Sequence, residues 1–225
     1  MDIAANIASI YNEISDKVRL VAVSKTKPNE DILTAYYSGH KIFGENKVQE
    51  LVQKYEELPK DIEWHFIGHL QTNKVKYLVP FVALIHGVDS LKLLRTINKE
   101  AKKNNRIQSC LLQFHIADES TKFGFSLEEA REMLESDEYK ALNNVEICGV
   151  MGMATYTENK DQIRNEFKSL VAIFRILKNE YFSASEKFSE ISMGMSDDYP
   201  IALEEGSTII RVGSKIFGER NYKKQ

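Results

Sequence analysis

Eight short apolar runs, each followed by a stretch with helical periodicity, constrain this chain more than any other feature. They lie at Val18–Ser24, His40–Asn46, Glu63–His69, Phe81–Val88, Ser109–Ile116, Val145–Met153, Phe188–Met193 and Thr208–Val212. Between them, apolar residues recur at three- and four-residue spacing, as in Val48, Leu51, Val52 and Tyr55, or Leu91, Leu94, Ile97 and Ala101. Strands that are apolar throughout and alternate with helices belong to parallel sheets covered on their faces. A (β/α)8 TIM barrel needs eight such units and commonly about 250 residues. The chain has 225, so one barrel domain over residues 1–225 is predicted. A doubly wound open sheet is the competing arrangement, but no G-x-G-x-x-G follows any strand.

Local signals support this order. Ile3, Ile7, Ile10, Tyr11 and Ile14 predict an extra N-terminal helix ahead of the first strand. Pro28 suits the first turn of a helix running to about Ser38, with Gly39 as its cap. Helices are also predicted from Gln71 to Leu78, from Lys160 to Tyr181 and briefly at Pro200–Glu205, and Ser126 with Glu129 forms a capping box. The tail Glu219–Gln225 is expected to cap the last helical turn.

The net charge of −3 argues against a general nucleic-acid or anionic-membrane surface. No run of 18 apolar residues is present, and Met1–Glu13 lacks a basic start and a long apolar core, so neither a membrane span nor a signal peptide is expected. Cys110 and Cys148 sit in apolar runs, as small buried hydrophobes in a reducing cytoplasm. Taken together these predict a soluble cytoplasmic protein.

The first strand ends in Val21-Ala-Val-Ser-Lys-Thr-Lys-Pro28. Lys25 continues the face of Val21 and Val23, which delivers one amine to the rim of the sheet. A desolvated amine with lowered pKa attacks carbonyls and forms a Schiff base. The plainer alternative is a lysine that snorkels into solvent. Glycines mark the C-terminal ends of most strands, at Gly44, Gly68, Gly87, Gly149, Gly152, Gly194 and Gly213. In a barrel those ends form one face, where ligands bind.

The eighth strand closes in Arg211-Val-Gly-Ser214, and the seventh in Ser192-Met-Gly-Met-Ser196. Gly/Ser turns after late barrel strands offer N–H groups and hydroxyls to a phosphate; ordinary turns are the alternative. Arg211 shares a face with Gly213, and a guanidinium can only donate hydrogen bonds. It would suit an unprotonated pyridine nitrogen, or an ion pair with a carboxylate such as Glu45. Amine, phosphate turn and ring-nitrogen donor are together what pyridoxal 5′-phosphate (PLP) requires.

These blocks resemble a known family. With Phe43-Gly-Glu-Asn-Lys-Val-Gln-Glu50, Trp64-His-Phe-Ile-Gly-His-Leu-Gln-Thr-Asn-Lys74, Gly149–Ala154, Ser192–Asp198 and Val212–Gly218, the chain is similar to the pyridoxal phosphate homeostasis proteins (YggS or PROSC family) along nearly its whole length. The resemblance implies a single fold type III barrel, like the N-terminal domain of alanine racemase, that binds PLP without a turnover reaction. By position it implies an internal aldimine on Lys25, Arg211 at the pyridine nitrogen, and Asn46 near the ring. It places the phosphate on Ser192, the Met193 backbone, Gly213 and Ser214, and implies a monomer.

Other signals are weaker. His65 and His69, four apart on a strand, are separated by about 13 Å, too far to share a metal, and are expected as structural histidines at the rim. His115, Ser120, Thr121 and Lys122 could meet a second anion, as could Lys223 and Lys224. Two function classes remain: a carrier that buffers or delivers PLP to apo-enzymes, and a PLP-dependent racemase or decarboxylase. An arginine at the ring nitrogen weakens the ring as an electron sink, and no second acid–base group is evident, which favours the carrier. A Schiff-base aldolase without cofactor is a third class.

Overall fold

A computed structural model of the chain describes residues 2–117 and 123–219. Eight parallel strands close in sequence order: β1 Arg19–Val23, β2 Ile42–Glu45, β3 Glu63–Phe66, β4 Leu84–Val88, β5 Gln108–Gln113, β6 Val145–Met151, β7 Glu190–Ser192 and β8 Ile209–Val212. β1 pairs with β8, Arg19 opposite Ile209 and Val21 opposite Arg211, which completes the ring. The helices are α1 Ile3–Glu13, α2 Asn29–Tyr37, α3 Val48–Glu57, α4 Val75–Leu78, α5 Leu91–Lys103, α6 Leu127–Glu135, α7 Asp137–Lys140, α8 Lys160–Glu180, α9 Tyr199–Glu204 and α10 Ser214–Phe217. The predicted TIM barrel with an extra N-terminal helix is therefore correct.

The elements begin where local chemistry says they should. Asp2 caps α1 by accepting from the Ala5 N–H at 2.9 Å, and Ser126 and Glu129 form both halves of the capping box of α6. Pro28 stands one residue before the predicted first turn, at the N-cap of α2. Gly39 follows the end of α2 at φ +101°, a conformation that only glycine adopts without strain. Most strands are shorter than the apolar runs, because the run ends lie in the loops before and after them. β3 stops at Phe66, which places His69 outside the sheet. The helix predicted over 71–78 divides into a 3-10 turn, Thr72–Lys74, and α4; α7 was not foreseen.

Alternation along the strands makes two apolar layers. Leu20, Ala22, Phe43, Trp64, Phe66, Ile85, Leu112, Val150, Ile191 and Ile210 face the helices in the large outer core. Val21, Leu84, Leu111, Met151 and Ile209 fill the barrel interior. Burial of this kind contributes about 25 cal/mol per Å² of apolar surface, so the outer layer dominates stability. At Gly149, φ +153°, a Cβ would lie 1.9 Å from the Glu190 carbonyl oxygen, so only glycine lets β6 and β7 approach. Cys110 is buried, Cys148 only partly so, and both are unpaired thiols. No described helix is long and apolar enough to cross a membrane.

Candidate functional site

The site lies where β1 and β8 run side by side. Arg211 stands beside Val21 in register, and one level higher Gly213 lies against Val23, where an added Cβ would meet the Val23 carbonyl oxygen at 3.2 Å. Lys25 comes next on the β1 side. It occupies the second position of a tight turn, Ser24–Lys27, closed by the Lys27 N–H on the Ser24 carbonyl at 3.0 Å. The third residue, Thr26, is held at φ +66°, costly for a β-branched side chain. Strain here is sustained from below. Glu50 accepts from the Thr26 N–H at 2.6 Å, and Lys54 donates to the Ser24 carbonyl at 2.9 Å.

Lys54 is itself almost wholly buried. Its three donors meet Ser24 O, Glu45 Oε1 and Glu50 Oε1, the two carboxylates each at 2.7 Å. Glu45 also accepts from the Ser24 hydroxyl at 2.6 Å. Burial raises the Glu45 pKa against the opposing pull of Lys54. This carboxylate faces α3 rather than the barrel interior, so the alternative ion pair of Arg211 with Glu45 is not formed.

The two lysines of the turn separate clearly. Lys27 donates its ammonium to the carbonyls of Phe217, Gly218 and Glu219 at 2.8, 3.0 and 3.1 Å, closing the end of α10. Lys27 thus caps this end; of the tail Glu219–Gln225, also expected to cap it, residues 220–225 lie outside the described residues. Lys25 is half-buried at the rim on the face of Val21 and Val23.

Arg211 is buried to 4% exposure, which pulls its pKa down to about 10, still charged at neutral pH. Its guanidinium donates to the Ser192 hydroxyl at 2.6 Å and to the Gly152 carbonyl at 3.1 Å. With five N–H donors it retains capacity for a ligand acceptor. Its own backbone N–H binds the Gly194 carbonyl at 2.9 Å, and Gly194 takes φ +94° to present that oxygen.

The four groups expected to hold the phosphate sit in different surroundings. Ser192 is fully buried, and its hydroxyl is engaged with Arg211 and, at 2.9 Å, with His86 Nδ1. The Met193 N–H is taken by the Ile209 carbonyl at 3.1 Å, as part of the seam between β7 and β8. In this structure, then, the Ser192 hydroxyl is engaged inside the barrel and the Met193 N–H in the sheet seam. The Gly213 N–H instead meets the Ser196 hydroxyl at 3.1 Å, a rotatable partner that a stronger acceptor can replace. Ser214 follows at the start of α10. Asn46, partly exposed, has its backbone pressed on Gly68, where a Cβ would lie 2.5 Å from the Asn46 carbonyl oxygen.

Sequence reasoning missed two members of the site. His65 and His86 lie fully buried inside the barrel, 2.9 Å apart, and not at the rim. The signal was available for His86, the one polar residue at an inward-facing position of the run Phe81–Val88, whereas His65 shares its inward face with Glu63. His69 lies elsewhere, stacked on Phe123 at 4.1 Å between centroids and bonded to Asp89 at 3.1 Å. Lys122, Ser120, Thr121, Lys223 and Lys224, read as possible anion contacts, lie outside the described residues.

The donor set fits PLP: a primary amine, a buried cationic donor and a Gly–Ser turn occupy one barrel mouth on two adjacent strands. Comparison with known proteins agrees. Residues 1–221 match the sequence profile of the alanine racemase N-terminal domain. The chain is 44% identical over 205 residues to the pyridoxal phosphate homeostasis protein of Aquifex aeolicus, covering 91% of this chain and 88% of that one. Against the mouse protein of that name it is 38% identical, covering 92% and 78%. Among solved structures, PipY of Synechococcus elongatus with PLP bound superposes with a TM-score of 0.87 at 34% identity, over 96% of this chain and 100% of that one. An alanine racemase of Clostridium difficile shares the fold alone, at a TM-score of 0.70 and 13% identity over 99% of this chain and 57% of that one. The chain belongs to the alanine racemase N-terminal domain family and, within it, to the pyridoxal phosphate homeostasis proteins.

Proposed function

We propose that this protein binds PLP at the mouth of its barrel and serves intracellular PLP homeostasis, buffering the cofactor and passing it to apo-enzymes in the cytoplasm as a monomer. PLP supplies an aldehyde that condenses reversibly with primary amines, so it can be both retained and released. The single observation that carries the reading is the stack of Arg211, Gly213 and Lys25 on β8 and β1, with the competing amine of Lys27 occupied by three carbonyls.

In this reading Lys25 provides the amine and Asn46 lies beside the ring. Gly213 and Ser214 hold the phosphate, with Ser196 yielding the Gly213 N–H. Ser192 acts through Arg211. Arg211 donates to the pyridine nitrogen and keeps it unprotonated, which limits its use as an electron sink. That limit, together with the names of the relatives, supports a carrier with no turnover of amino acids.

The test is an absorbance spectrum of the loaded protein before and after borohydride, with mass mapping of the reduced label. A pyridoxyl mass on Lys25 is expected; no binding, or a label on another lysine, refutes the site. Loaded protein incubated with amino acids in D2O should show no exchange at Cα. Exchange at ~1 s⁻¹ or faster, in the usual enzyme range, would make it an enzyme.

A further inference from the structure

Below the site, four hydrogen bonds run in series through the barrel interior. Arg211 Nη1 meets Ser192 Oγ at 2.6 Å, Ser192 Oγ meets His86 Nδ1 at 2.9 Å, His86 Nε2 meets His65 Nδ1 at 2.9 Å, and His65 Nε2 meets Glu63 Oε1 at 2.9 Å. The interior members Ser192, His86 and His65 are wholly buried, and Arg211 nearly so. Glu63 alone reaches solvent, at the N-terminal end of β3, where Arg19 stands 3.5 Å away. The series thus joins the barrel floor to the proposed cofactor mouth.

Its ends dictate its direction. A guanidinium can only donate, and a carboxylate can only accept. Glu63 therefore takes the Nε2 proton of His65. A neutral imidazole carries one proton, so His65 Nδ1 is bare and accepts from His86 Nε2. By the same argument His86 Nδ1 is bare and accepts the Ser192 hydroxyl proton, which leaves the Ser192 oxygen to accept from Arg211. Every donor then has an acceptor, and every proton points from the mouth to the floor. Burial, which lowers both histidine pKa values, keeps the imidazoles neutral as this arrangement requires. Reversing the series would aim both His86 and Arg211 protons at Ser192 and strand its hydroxyl proton in a dry interior, where an unsatisfied donor is costly.

We propose that Glu63, His65, His86 and Ser192 form a one-way hydrogen-bond relay that holds Arg211 aimed at the ring nitrogen of bound PLP, so that the charge of Glu63 at the barrel floor tunes a cofactor at the opposite end. The proposal rests on the reading of Arg211 as the ring-nitrogen partner, and it makes Glu63, His65 and His86 positioning residues.

Long-range 1H–15N spectra of the apoprotein test the relay without any cofactor, and only five histidines need assignment. His65 and His86 should both show a bare Nδ1 and a protonated Nε2 at pH 7. In Glu63→Gln the amide offers donor or acceptor, only Arg211 still opposes reversal, and the His86 ring-nitrogen shifts should move part of the way toward those of the other tautomer although His86 does not touch residue 63. In the loaded protein, Glu63→Gln should move the cofactor absorbance maximum. Ser192→Ala removes a charge-assisted bond to Arg211 and should weaken PLP and unphosphorylated pyridoxal by the same factor, about tenfold.

A wild-type His86 that carries its proton on Nδ1, or two protons, overturns the relay. So does a Glu63→Gln variant whose cofactor spectrum matches wild type. A Ser192→Ala loss confined to the phosphorylated form would return Ser192 to the phosphate and overturn its role here. If wild type shows no PLP band at all, the cofactor reading fails, and the tautomers still decide the relay on their own.

Discussion

Replacing Lys54 with methionine should loosen the turn that displays Lys25, and the structure allows the size of the effect to be worked out. Methionine keeps most of the volume of the stem but removes an ammonium that meets Ser24 O, Glu45 Oε1 and Glu50 Oε1. Glu45 is left at 0% exposure, with its Oε2 already lacking any hydrogen-bond partner. Breaking a buried pair from one side typically costs about 3–5 kcal/mol, because the remaining charge stays desolvated. The carboxylate can escape by taking a proton, and its folded pKa is already raised by burial. Loss of Lys54 raises it further, so the folded variant binds a proton that the unfolded chain releases. Its deficit relative to wild type should therefore grow as pH rises past the raised folded pKa of wild-type Glu45 and level off above that of the variant. Urea unfolding at pH 5 and pH 8 measures both numbers. At pH 8 a loss of ~3 kcal/mol or more is expected, with an unchanged m-value and a smaller loss at pH 5. The double variant Glu45→Gln/Lys54→Met should recover at least half of it. A loss under ~1 kcal/mol at pH 8, or a deficit independent of pH, would refute the account of this pair.

Three further outcomes follow from the same geometry. Lys27→Met should strip the cap from α10 and destabilise the fold by about 1–2 kcal/mol, given its partly buried carbonyl contacts, while borohydride still places the pyridoxyl label on Lys25; a label lost or moved would mean that Lys27 holds the cofactor. Burial lowers the pKa of His40, His65 and His86. The unfolded chain therefore takes up protons first, and stability should be flat above pH ~6.5 and fall below it by up to ~1.4 kcal/mol per pH unit for each histidine, with Glu45 partly opposing; thermal melts at pH 7.5, 6.5 and 5.5 read this, and a melt unchanged between the last two would contradict it. Arg211→Glu should change the spectrum of the loaded protein, since a carboxylate favours a protonated ring nitrogen; an unaltered spectrum and affinity would place Arg211 away from the ring.

The repeat of apolar run and helix decided the fold class, because a strand buried on both faces and a helix buried on one leave different periods in the chain. The same period of two placed Val21, Val23 and Lys25 on one face, and Arg211 with Gly213 on another, so most of the site was legible before any coordinates. Caps such as Ser126 with Glu129 were legible too, since their partners lie three residues apart. What the chain alone could not tell was the use to which each polar group is put. Ser192 reads only as a turn hydroxyl offered to a phosphate, and its bond to His86, 106 residues away, exists only once the barrel closes. Lys27, off the strand face in the sequence, has no readable task until α10, 190 residues on, presents its carbonyls. Glu45 reads as a partner for Arg211 until the outward face of β2 delivers it to Lys54. A hydrogen bond is a contact of about 3 Å, and only the closed ring of strands decides which distant donor and acceptor come that near.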